Sequence, residues 1–330
     1  MKQDGSVTLF NQWRKKMRAV VIHQAGAPQQ LAMEERPVPQ PKPGWSVIRI
    51  RAFGLNHAES ITRRGGSPSV QFPRVIGIEA VGEVAATQSP ALTVGERVTT
   101  LMGELGRQFD GSYEEYVLVP DTQIYPLPLS GDWAQLATIP ESGYTAWGSI
   151  KNCQIVAGQS VLVRGGTSTV GIAAIQLMTA MGVHVTATTR RAEKSAFLKR
   201  QGAEAVVLDV AGKLQTTANY DAIIEFVGEV TLLDSLTHLK HPGGYLNVTG
   251  ELADQWTLDG FSSFNIPSGS YLTSFQSTDI NRQWLAEMMQ LIADKHLEFP
   301  IGAQFTLDEI VAAHELLDAG TADGKIVVTV

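Results

Sequence analysis

The chain has 330 residues, of which 44% are hydrophobic and 18% charged, a composition that excludes a disordered chain and is long enough for two domains with large cores. Its formal net charge of −7 excludes a general nucleic-acid binder, which is ordinarily basic. The single cysteine, Cys153, excludes an intrachain disulfide and a four-cysteine zinc lobe, and makes a reducing cytoplasmic setting the default.

No apolar run approaches the roughly 20 residues that span a bilayer, so no membrane partner is expected. Residues 1–16 carry Phe10, Trp13, Arg14, Lys15 and Lys16 without an apolar core or cleavage site. They read as an N-terminal extension, with the ordered domain beginning at Met17.

In chain order, residues 17–23 read as a strand. Pro37, Pro39, Pro41 and Pro43 then mark an extended connector that cannot be helical. Val47 to Arg51 alternates in strand fashion, and Val75 to Val84 reads as a bent strand interrupted by Gly77 and Gly82. Further strands are expected over 95–98 and 111–119. The first ~140 residues thus read as an antiparallel, partly open β-barrel. The period then changes. Helices are expected over 134–137 and 145–150, then a strand–turn–helix–strand unit from Ser160 to Arg191. Alternating helices and strands continue to Thr249, as in a doubly wound parallel sheet. Helices over 281–295 and 307–317 and a terminal strand from Lys325 close the chain.

The unit over 160–191 carries most information. A buried-strand run, Val161 to Val163, leads into Gly165, Gly166, Thr167, Ser168, Thr169, Val170 and Gly171, then an apolar helix closed by Gly182. This is the dinucleotide-binding pattern with serine, Ser168, at its middle glycine. A pyrophosphate belongs at the helix N-terminus, where unpaired N–H groups and the helix dipole attract an anion. The next strand ends in Arg190 and Arg191 rather than in an acid. An acid there suits the free ribose of NAD; a guanidinium suits the 2′-phosphate of NADP. With Lys194 four residues beyond Arg190, the expected cofactor is NADP(H). The alternative is a solvated basic face.

Four further motifs occur in order: Gly54–Glu59, Pro73–Gly82, Gly95–Val98, and Ala313–His314 with Gly324–Val327. Together with the dinucleotide turn they resemble the medium-chain dehydrogenase/reductase superfamily over Met17 to Val330. The resemblance implies a GroES-like domain over 17–140 and 281–330 and a Rossmann domain over 141–280. Zinc-dependent members place a cysteine at Asn56 and a histidine at Ile78. Neither residue here is a zinc ligand, and a catalytic zinc needs about three. The chain therefore resembles the zinc-independent, quinone oxidoreductase-like branch, and no metal is expected. That branch often has a tyrosine shortly after residue 56; Arg63 to Pro68 contains none, which implies an altered substrate wall.

The resemblance implies an NADPH-dependent reductase of quinones or α,β-unsaturated carbonyls. Asn56 is placed to hydrogen-bond a substrate oxygen as charge develops, or else to bond its own backbone. His57 and Glu59 would share a face of a strand. Tyr144 and Tyr271 are candidate proton donors or packing walls. Thr145 resembles the segment beside the nicotinamide. Thr249, Gly250 and Leu272 are expected at the carboxyl edge of the sheet, and Lys325 in the closing motif is a further cofactor candidate. Residues 262–276 read as an edge strand on which a second copy would pair, giving a homodimer. The alternative function is an NADPH-binding sensor or scaffold with little turnover.

Overall fold

The computed structural model describes residues 16–249, 257–278 and 280–330. In chain order the elements are β1 (Lys16–Ile22), β2 (Leu31–Pro37), β3 (Trp45–Gly54), α1 (His57–Arg63), β4 (Glu79–Ala86), β5 (Arg97–Leu101), β6 (Tyr116–Pro120) and β7 (Tyr125–Pro126). Two helices follow, α2 (Trp133–Leu136) and α3 (Pro140–Asn152). Then come β8 (Ser160–Arg164), α4 (Thr169–Ala180), β9 (His184–Thr189), α5 (Ser195–Arg200), β10 (Ala205–Val210) and β11 (Lys213–Leu214). The chain continues with β12 (Ala222–Glu225), α6 (Glu229–Thr237), β13 (Tyr245–Val248), β14 (Tyr271–Ser274), α7 (Arg282–Lys295), β15 (Ile301–Thr306), α8 (Ile310–Ala319) and β16 (Lys325–Thr329).

The chain divides into two units. Unit 1 takes the described residues up to Glu141, with Thr278–Arg282 and Pro300–Val330; unit 2 takes Ser142–Ser277 and Gln283–Phe299. Unit 1 is built on a sheet ordered β15-β16-β3-β4-β5-β7, with β6 also on β3 and a separate β1–β2 hairpin. All its pairings are antiparallel except β15 with β16. Its core gathers Ile48, Ile50, Phe53, Val75, Tyr113 and Ile326 among others. It is the GroES-like half of the fold.

Unit 2 is a seven-stranded sheet ordered β11-β10-β9-β8-β12-β13-β14, parallel except for the β10–β11 pair. Val161, Leu162 and Val163 are fully buried because helices cover both faces of a parallel sheet. Strand order reverses between β8 and β12, so the carboxyl ends of these two strands form the topological switch point where ligands of open α/β sheets bind. Ala173 and Ala174 let α4 lie close on the sheet, and Gly182 stops it with φ +80°.

Four expectations differ from the structure. Residues 75–78 are not strand: Gly77 takes φ +111°, and Gly106 and Gly111 pack on its backbone. His57 and Glu59 lie on helix α1, not on a strand. Residues 283–299, expected with the GroES-like domain, group with unit 2. There α7 buries Leu285, Met288, Met289 and Ile292, and Met288 and Phe299 close on Gly143. The edge strand expected over 262–276 shrinks to the four residues of β14, since Pro267 and Gly269 (φ +74°) break the pattern before it. The expected extension over 1–16 lies outside the described residues, save Lys16, which begins β1.

Candidate active site and dinucleotide crest

In unit 2 the turn between β8 and α4 has the form a pyrophosphate requires. Gly165 adopts φ +81°, and its N–H donates to Thr188 Oγ1 at 3.1 Å, tying the turn to β9. A Cβ on Gly171 would lie 2.4 Å from the Gly165 carbonyl oxygen. One on Gly166 would lie 3.0 Å from that of Thr188. Gly171 is therefore demanded by close backbone approach, and Gly166 packs tightly on β9. Ser168 is the N-cap of α4: its hydroxyl accepts the Gly171 N–H at 3.0 Å and donates to the Gly165 carbonyl at 2.8 Å. It spends one donor that a glycine there would leave to a ligand. The N–H groups of Gly166, Thr167, Thr169 and Val170 have no hydrogen bond among the described residues. The Thr169 hydroxyl accepts from Ser142 Oγ at 3.2 Å.

Arg190 follows β9 directly, at the carboxyl edge of the sheet. Thr189 Oγ1 accepts the Arg191 N–H at 3.1 Å and forms a tight turn there. The guanidinium groups of Arg190 and Arg191 lie at an exposed position, with no ion pair among the described residues; Lys194 is half-buried. Thr249 also lies at the carboxyl edge, just after β13, and its hydroxyl donates to the Phe275 carbonyl. Gly250 lies outside the described residues.

A polar knot that the sequence reading missed supports this crest. Arg164, the last residue of β8, is wholly buried. Its Nε donates to Asp209 at 2.9 Å. Its Nη1 donates to Asp234 and Ser235 at 2.9 Å and to the Thr231 carbonyl at 3.1 Å. Glu225, on the neighbouring strand, accepts the N–H of Val227 at 2.8 Å and of Gly228 at 3.3 Å. Burial holds its carboxyl above the ordinary range despite Ser235 and Arg164. The knot fixes the loops after β8 and β12, the two sides of the switch point.

Tyr271 and Leu272 correct an expectation. They begin β14, in register with Tyr245 and Leu246 at the start of β13, so they lie at the amino edge, opposite the glycine turn. Tyr271 stacks on Tyr245 at 4.6 Å, and Leu272 packs on the core. Tyr144 is fully buried with its ring edge-on to Phe275 at 5.8 Å, the packing alternative. Thr145 is buried on α3, and its carbonyl accepts from Ser149 Oγ at 2.8 Å.

In unit 1, Asn56 belongs to a buried charged cluster. Glu59 and Glu79 are fully buried, and Lys325 is 1% exposed. Asn56 Nδ2 donates to Glu79 Oε1 at 2.9 Å and to Glu59 Oε1 at 3.4 Å, while its Oδ1 accepts from Lys325 Nζ at 2.6 Å. Lys325 Nζ also pairs with Glu79 at 2.7 Å. Glu79 Oε2 accepts the Glu141 N–H at 2.8 Å; Glu59 accepts those of Asn56 at 3.0 Å and Ile78 at 3.3 Å. Two readings are thereby corrected. The Asn56 amide is spent on two carboxylates rather than offered to a substrate oxygen. The Lys325 ammonium is held in this cluster rather than extended to a cofactor. Burial first, and the Glu79 charge second, push the Glu59 carboxyl up to about 8, against the pull of Lys325.

Arg63, expected in a substrate wall, is 1% exposed. It pairs with Asp318, donates to the Gly26 carbonyl at 2.7 Å and gives Nε–H to His314 Nδ1 at 3.2 Å. That bond leaves the neutral ring's proton on Nε2, facing the Tyr113 oxygen at 2.8 Å. Burial, then the Arg63 charge, lowers His314 to about 3. Among the described residues no group of three His, Cys, Asp or Glu side chains is placed to hold a metal, and no helix is long and apolar enough to cross a membrane.

Comparison with known proteins agrees with this architecture. The family model of the alcohol dehydrogenase GroES-like domain matches residues 42–129, and that of the zinc-binding dehydrogenases matches 197–328. A quinone oxidoreductase of Pongo abelii is 31% identical over 333 residues, covering 95% of this chain and 98% of that protein. The solved quinone oxidoreductase from Coxiella burnetii is 25% identical with a TM-score of 0.82, covering 96% of this chain and 100% of the other. A mycobacterial structure, Rv1454c complexed with NADPH, is also 25% identical, with a TM-score of 0.81 over 95% of this chain and 100% of its own. GroES-like unit, parallel sheet with its switch-point glycine turn and these likenesses define an oxidoreductase. The chain belongs to the quinone oxidoreductase-like family of the medium-chain dehydrogenase/reductase superfamily.

Proposed function

We propose that this chain is an NADPH-dependent reductase of quinones or α,β-unsaturated carbonyls that works without zinc. The observation that carries the reading is the pair of features on unit 2: a glycine turn with unspent N–H groups at the switch point, and Arg190 after the neighbouring strand β9. The turn residues 166–171 would hold the pyrophosphate through backbone N–H groups and the α4 dipole. Arg190, Arg191 and Lys194 would hold the 2′-phosphate by charge-assisted bonds. When bound, the cofactor supplies a hydride from its nicotinamide. Hydroquinone oxygens take their protons from water, so a quinone acceptor requires no acid from the chain.

The residues at the zinc-ligand positions support hydride transfer without metal. Asn56 is bonded to two carboxylates and an ammonium, and Ile78 has no donor atom. Stoichiometric zinc in the purified protein would refute this part. The exposed Tyr271 and the outer position of β14 support a homodimer in which a second copy continues the sheet. A monomeric mass by light scattering would rule it out.

A second reading, an NADPH-binding sensor with little turnover, is favoured by Ser168, whose cap bond consumes the Gly171 N–H. One experiment separates the two: NADPH oxidation followed by absorbance against quinone and enone panels, with NADH as control and R190A alongside. The reductase reading expects turnover that prefers NADPH, with that preference falling roughly tenfold or more in R190A. NADPH binding by fluorescence without turnover on any acceptor would establish the sensor.

A further inference from the structure

The last two residues of β9, Thr188 and Thr189, are buried, at 1% and 4% exposure. They are consecutive on a strand, so their side chains leave on opposite faces of the sheet. A parallel sheet covered on both faces ordinarily fills such places with apolar residues. Here each hydroxyl is spent instead on a backbone turn outside the sheet. Thr188 Oγ1 accepts the Gly165 N–H at 3.1 Å, in the glycine turn. Thr189 Oγ1 accepts the Arg191 N–H at 3.1 Å and donates to the Arg191 carbonyl at 3.2 Å.

The sheet itself stops short of the arginines. The ladder with β10 ends at Thr189, opposite Leu208, and that with β8 ends at Ala187. Arg190 and Arg191 lie beyond both ladders and are exposed. The Arg191 carbonyl that takes the Thr189 hydroxyl also takes the Lys194 N–H at 3.0 Å, which closes the 3-10 turn Ala192–Lys194. That turn has no side-chain cap of its own. One hydroxyl is therefore tied to the backbone of the segment that carries Arg190, Arg191 and Lys194. Buried, with its proton and a lone pair both used, it acts through that backbone and not on a ligand.

We propose that Thr189 is the positioning residue that sets the preference for a dinucleotide bearing a 2′-phosphate, and that Thr188 is its counterpart for the pyrophosphate common to all nicotinamide dinucleotides. The inference rests on the NADPH reading. A guanidinium meets a phosphate through two parallel bonds only when it is correctly aimed, and a long side chain on a loose backbone loses entropy on being aimed. A backbone already fixed by Thr189 lowers that cost for the 2′-phosphate. The Thr188 bond shapes a turn that either cofactor would use.

The test titrates the wild type, T188V, T189V, T189A, T189S and R190A with NADPH and with NADH by fluorescence, with circular dichroism to establish that each is folded. The readout is the ratio of the two dissociation constants, which general damage to the domain does not move. In T189V and T189A the preference for NADPH should fall roughly three- to tenfold. T189S, which keeps the hydroxyl, should restore it. T188V should weaken both cofactors by a common factor. An unchanged ratio in T189V and T189A, equal weakening of both cofactors there, or no restoration in T189S would overturn the proposal; a shifted ratio in T188V would overturn the division between the two threonines. A preference lost in R190A and kept in T189V would leave the NADPH reading standing and sink the inference alone. A wild type that binds NADH as tightly as NADPH would remove both.

Discussion

Glu59 makes the stability of this protein depend on pH in a direction opposite to that of an ordinary salt-bridged acid. Its carboxyl ordinarily titrates at 4.5 and stands at about 8 in the fold, because it is buried beside Glu79. Between these values the folded protein holds a proton that the unfolded chain has lost. The stabilisation is therefore complete below pH 4.5, falls as pH rises, and is gone above about 8. The slope of one such proton is about 1.4 kcal/mol per pH unit. E59Q removes the titration and keeps the shape. Glu114 and Glu225, also raised by burial, and His314, lowered by burial, titrate in both proteins and leave the difference unaffected. Urea unfolding at pH 6.5 and 8.0, with constant ionic strength and slopes compared between proteins, reads that difference. Over these 1.5 units the wild type should lose about 2 kcal/mol more than E59Q. Parallel pH curves would refute the argument and place an ionised Glu59 in the folded protein throughout.

The same cluster predicts that K325M is severely destabilised, by about 3–5 kcal/mol, because it leaves Glu79 charged and buried without its ammonium; the unfolding midpoint of the variant checks it. G171A brings a Cβ against the Gly165 carbonyl oxygen, a backbone atom that cannot move aside cheaply. It should lower stability by roughly 1–3 kcal/mol and weaken NADPH binding, read by fluorescence titration, while S168G leaves binding intact or tightens it. Weakened binding in S168G would show that the serine hydroxyl itself faces the ligand.

The fold was legible where its cause is local. The strand–turn–helix over 160–182 is written in a buried-strand run, a glycine turn and small helix residues, and each does in the structure what its chemistry suggests. The reading of Tyr271 failed because strand direction within a sheet was needed: the residue opens β14 rather than following it. The place of α7 failed because its partner, Gly143, is far off in sequence, and only packing reveals that Met288 and Phe299 close on it.

The site was legible only in part, and the reason is sequence separation. Asn56 stood out from its motif, but what its amide does is decided by Glu79, 23 positions away, and by Lys325, 269 positions away. Arg63 entered the reading only as the start of an altered substrate wall, and its partner His314 lies 251 positions on. A signal was nevertheless present. Arg164 ends the apolar run of β8, Glu225 ends that of β12, and Lys325 opens that of β16. A charged residue at a strand end reads as the chain leaving the core, yet these three are at most 1% exposed. Once β8 and β12 are known to be neighbours in register, opposite charges at their matched ends become the expected result. Each would otherwise be a buried charge without a partner, which costs far more than the pair. Topology thus converts an apparent surface residue into one that fixes the loops at the switch point.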